Sequence, residues 1–103
     1  MTQPEWFEWA LRQFPYFRER MDAGEFWINN DDPDLAETLK GIDRWAVRNC
    51  SATMAACAAF VCGFYNGAKR GSESRHRFGQ WFQLLDDGNA RAVITVLQHP
   101  RPR

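Results

Sequence analysis

Apolar side chains along this chain recur at helical spacing, and the recurrence is interrupted at residues that start or stop helices. Thr2, Pro4 and Glu5 have the form of a capping box, with a hydroxyl at the cap, a proline in the first turn and a glutamate three residues on. Behind it Trp6, Trp9, Ala10, Gln13 and Phe17 fall at helical spacing and Phe7, Leu11 and Phe14 form a second stripe, which predicts a helix wet on a narrow face. Pro15 lacks an amide donor and clashes with the carbonyl four residues back. A boundary is therefore expected near Gln13 or Phe14, with a short continuation through Arg20. After Gly24, the triplet Phe26, Trp27 and Ile28 is short for a helix and could equally be an extended segment laid across the core.

Asp31, Asp32, Pro33 and Asp34 signal a new start, with a cap acid, a proline in the first turn and negative charge at the positive end of the helix dipole. Leu35, Leu39, Ile42, Trp45 and Ala46 then make one apolar stripe, running to about Asn49. From Asn49 to Ala68 no residue is charged. Ser51 is a natural cap for a helix there, Asn66-Gly67 a matching stop, and almost every position between is small or apolar, the pattern of a buried central helix. Those twenty uncharged positions match a bilayer in length. Their composition does not, because Ala, Ser, Thr, Asn and Gly stand where insertion favours Leu, Ile and Val, and no membrane partner is expected.

Lys69 to Arg77 lacks apolar residues and reads as an exposed basic loop. Phe78, Trp81, Phe82 and Leu85 predict a fourth helix, which Asp86, Asp87 and Gly88 close while capping the next. The last helix, from about Asn89 to Gln98, would turn Ala92, Val93, Val96 and Leu97 to the core, with a strand as the alternative because Ile94 and Thr95 are β-branched. Pro100 and Pro102 suggest that residues 99–103 form a disordered tail. The expected fold is all-α: a single domain over residues 1–103, a compact bundle of four to five helices around the Ala-rich one, with an aromatic-rich N-terminal helix and segment over residues 1–30.

Composition agrees with one folded domain, at 45% hydrophobic, 15% aromatic and 25% charged residues. Three cysteines, an odd number, and Glu5, Glu8 and Glu19 where an export signal would be basic and apolar, point to free thiols and a cytoplasmic location. Net charge is zero but unevenly spread. Residues 1–50 hold ten acids and six bases, and residues 51–103 three acids and seven bases, so the surface is dipolar or the two halves attract each other.

Candidate chemistry is sparse. Cys50, Cys57 and Cys62 lack a Cys-x-x-Cys pair and no histidine follows at ligand spacing, so all three read as small buried hydrophobes and no metal or other cofactor is expected. The oxygens of Asn29 to Asp34 lack the glycine and distal glutamate of a calcium loop, and capping accounts for them. No nucleophile, base and orienting group can be assembled, so the chain is expected not to be an enzyme. Two binding sites remain. Surplus aromatics with arginines nearby, in Trp6, Trp9, Tyr16, Arg18, Arg20 and Trp27, have the composition of a protein interface. Lys69, Arg70, Arg75, His76 and Arg77 could instead neutralise phosphates, helped by Arg91, in a nucleic-acid-binding accessory protein.

The run Ala58-Ala59-Phe60, Phe64-Tyr65-Asn66-Gly67, then Phe78, Phe82 and Leu85-Asp86 before a closing helix resembles a family of short uncharacterised helical proteins encoded by phages, prophages and plasmids. The likeness spans about residues 35–97. It implies an accessory protein of a mobile element that acts by binding a host protein, such as a component of a defence system, and it carries no catalytic residues with it. Homo-oligomerisation is a further possibility.

Overall fold

Thr2 starts the first helix as the capping box requires: its hydroxyl accepts from the Glu5 amide at 3.3 Å, and the Glu5 carboxylate accepts from the Thr2 amide at 3.0 Å. These hydrogen bonds hold the Glu5 carboxyl below its usual pKa. The structure, a computed structural model, describes residues 1–29, 31, 34–63 and 78–102. Among them are six helices and no strand: α1 (Gln3–Arg12), α2 (Pro15–Asp22), α3 (Leu35–Asn49), α4 (Ala52–Cys62), α5 (Phe78–Gln83) and α6 (Asp87–Gln98). The fold is all-α, and six helices stand among the described residues where four or five were expected; Pro15 begins the separate α2 at the boundary expected near Gln13 or Phe14.

At the centre lies α4. Ala55, Ala56, Cys57, Ala58, Ala59, Val61 and Cys62 are all buried, so this helix has no polar face over those two turns. Its alanines let neighbouring backbones approach, and α3 and α1 both pack against it. Phe7, Leu11, Phe14, Phe17 and Val93, each almost wholly enclosed, supply the bulk around the small residues. The Cα radius of gyration, 12.8 Å, is that of a compact domain of this length.

Several boundaries differ from the sequence expectation. The central helix ends at Cys62 and not at Asn66-Gly67, since Gly63 takes up φ +85°, a left-handed conformation open to a residue without a Cβ. At eleven residues α4 is about 16 Å long, roughly half a bilayer core. Among the described residues no helix is long and apolar enough to cross a membrane. Asp34, the last of the acidic cluster, caps α3 by accepting from the Glu37 amide. Residues 92–97 are helical and not a strand, and Asp86 caps α6 by accepting from the Asn89 amide at 2.8 Å. Leu97, expected in the core, is 57% exposed, because the buried stripe of α6 is Ala92, Val93 and Val96.

Residues 99–102 are also fastened where a disordered tail was expected. The Trp6 indole donates to the His99 carbonyl at 2.8 Å, Gln3 donates to the Pro102 carbonyl at 3.2 Å, and the Arg101 guanidinium lies 5.7 Å from the Phe7 ring centroid. A buried indole needs an acceptor, and the C-terminal backbone provides it.

Candidate functional site

The end of α2 sets up the region of interest. Gly24 adopts φ +76°. Its amide donates to the Met21 carbonyl, and the Glu25 amide reaches back to the Arg20 carbonyl, the two bonds of a Schellman closure. That closure usually brings two apolar side chains together, but here it joins Arg20 to Glu25 at 3.0 Å. The guanidinium also lies 4.8 Å from the centroid of the Tyr16 ring, and both contacts raise the Arg20 pKa, with the Glu25 hydrogen bond dominant.

From this anchor the chain runs extended, and its side chains alternate as a pleated backbone requires. Phe26 and Ile28 point inward and are buried, whereas Trp27 between them is 65% exposed. Phe26 stacks obliquely on Trp45 of α3, ring centroids 4.5 Å apart, and touches Phe17 edge-on at 6.1 Å. The segment is thereby held away from α3 over part of its length. A groove of about 360 Å³ opens between them, lined by Glu25, Phe26, Trp27, Thr38, Gly41, Ile42 and Trp45. Only Glu25 and Thr38 bring polar side chains, so the lining is chiefly apolar.

Gly41 shapes the floor. A glycine inside a helix costs about 1 kcal/mol relative to alanine. Internal packing does not require it: a Cβ built there would meet one atom within 4 Å, an Arg44 guanidinium nitrogen at 4.0 Å. What the missing side chain does is leave the groove open.

The structure separates the six aromatic and arginine candidates. Trp6 belongs to the core at 6% exposure, so its place is structural and it offers little surface to a partner. Trp9 is half-buried, edge-on to His99 with centroids 5.2 Å apart. Tyr16 is half-buried beneath Arg20, and Arg18 is exposed. Arg20, Glu25 and Trp27 stand together at one end of the groove, through the Arg20–Glu25 pair and the lining. Thr38, Gly41 and Trp45 line the groove without having stood out in the sequence, because α3 reads there as a plain core helix. The interior glycine was the signal that could have drawn attention to them.

Lys69, Arg70, Arg75, His76 and Arg77 lie outside the described residues, and Arg91 is exposed on α6. Burial pushes the Cys57 thiol up to about 12. Cys50 is raised too, by burial, with partial relief from a Tyr16 hydrogen bond and the Arg20 charge. Among the described residues no group of three or more His, Cys, Asp or Glu side chains could hold a metal ion. Comparison with known proteins finds no family model, no curated protein and no solved structure that matches the chain.

Proposed function

We propose that the chain works by binding another protein, through the groove between residues 25–27 and α3. The exposure of Trp27 at the lip of an apolar groove carries the reading, because a large aromatic left in water on a folded scaffold is the usual anchor of a protein interface. Few polar groups converge there to orient a small substrate, which favours a protein side chain as the occupant. The resemblance to small proteins of mobile elements adds the kind of partner: a host protein that the chain inhibits or modulates in the cytoplasm, a defence component being one case. The test is site-specific photocrosslinking from position 38, beside the groove, in host extract. A crosslinked protein that disappears when Trp27→Ser is introduced supports the reading. Equal capture by parent and Trp27→Ser contradicts it.

A further inference from the structure

Beside the groove the backbone itself is left unused. The Glu25 amide donates to the Arg20 carbonyl, and the Asp31 amide donates to the Asn29 side chain at 3.0 Å. Between these two ties the backbone of Phe26, Trp27 and Ile28 makes no hydrogen bond to any of the described residues. That is unusual for Phe26 and Ile28, which are buried, because backbone groups beside a core are nearly always paired. The stretch is extended, with alternate side chains inward, so its N–H and C=O groups project sideways, those of successive residues to opposite sides. It has the form of a lone strand with both edges open. The groove runs along one of those edges, between the stretch and α3. Paired strands lie about 4.8 Å apart, which places a second strand inside the groove.

Resting on the protein-binding reading above, we propose that the groove takes an extended segment of the partner, which pairs with residues 26–28 as an added strand. Main-chain hydrogen bonds hold the segment, so its sequence is read only at alternate positions. One of its apolar side chains enters over Gly41, where the missing Cβ leaves room, between Trp27 and Trp45. The side chains before and after it point away to solvent and are polar. Proline is excluded from the paired positions, since it has no amide to donate. The stretch is prepared for this role: seated by Phe26 and Ile28 and tied at both ends, it loses little freedom on pairing.

The probe is a synthetic peptide of about seven residues, a common strand length, in which Val and Trp alternate with Thr, titrated calorimetrically into the full chain. Two further versions carry N-methyl groups on alternate backbone amides, one version for each edge, so that one row of donors is removed while every side chain is kept. Strand addition predicts that methylation of one edge weakens binding at least about ten-fold and that methylation of the other changes it by less than about three-fold. It also predicts slowed amide hydrogen exchange within residues 26–28 when the unmodified peptide is bound. Gly41→Trp, which plugs the floor, should remove the binding. If that variant fails to fold, Trp27→Ser carries the same test and should weaken binding at least about ten-fold by removing the lip. Equal binding of all three peptides, still lost in these variants, overturns strand addition and leaves the groove reading standing, and so does equal weakening by both methylations. Binding that survives Gly41→Trp or Trp27→Ser overturns both. Absence of binding by the unmodified peptide at about millimolar concentration, where even weak specific contacts register, overturns the inference. So does a concentration-dependent dimer of the chain that Gly41→Trp abolishes, since a second copy would then be the occupant.

Discussion

The buried run Ala55 to Ala59 of the central helix and the Trp27 groove are both built from apolar residues, yet one is closed and the other is open. Around α4 the small side chains of Ala55 to Ala59 are matched by neighbours that fill the space, and burial there holds the fold together. At the groove, Phe26 and Ile28 are committed to the core while Trp27, one residue from each, is left in water. The contrast separates apolar surface that stabilises the chain from apolar surface that is available to something else. Hydrophobicity alone does not distinguish the two; closure does.

The largest effect expected is on the closed side. Phe17 is fully buried and touches Phe14, Tyr16 and Phe26. Phe17→Ala should cost about 3–5 kcal/mol in urea unfolding. A loss below about 1 kcal/mol would mean that the aromatic series running from Phe14 through Phe17 and Phe26 to the groove is loosely packed. Next come Ala58→Leu and Ala59→Leu, both at positions with no exposure, which should each destabilise by about 1–3 kcal/mol through overpacking. If thermal melts show both to be neutral, the small-residue face of α4 is not close-packed.

A smaller effect depends on pH. The Cys57 thiol is held near 12 when folded and ionises near 9 when exposed. Above pH 9 the unfolded chain therefore sheds a proton that the folded chain keeps, and stability falls as pH rises. The stability conferred by this thiol is complete below pH 9 and is lost progressively up to about pH 12. Cys57→Ala should flatten the decline relative to the parent. A parent and variant with the same alkaline slope would place Cys57 in contact with water.

Most of the fold was legible in the sequence because its signals are local. The Thr2–Glu5 box, Pro15, Ser51 and Asp86 all act within one turn, and each marks a helix boundary where expected. Two errors of extent arose where candidates competed or tertiary contacts decided. Gly63 stops α4 before Asn66-Gly67 is reached, and the last residues are held by the Trp6 indole, an interaction across 93 positions that no local pattern encodes. The site was less legible still. Trp27 was marked for its composition, but Trp6 carried the same mark and is buried, because periodicity groups residues on a helix face without saying what covers that face. Thr38 and Gly41 became site residues only when the Schellman turn at Gly24 brought the extended segment alongside α3.

The comparison between closed and open apolar surface is tested most directly by the stability of Trp27→Ser, measured by urea unfolding beside the parent. Trp27 is exposed, so the account predicts a change within about 0.5 kcal/mol, the range of ordinary surface substitutions. A loss of about 2 kcal/mol or more would show that Trp27 holds the fold together as the α4 residues do, and the groove would then be part of the core and not a surface kept for a partner.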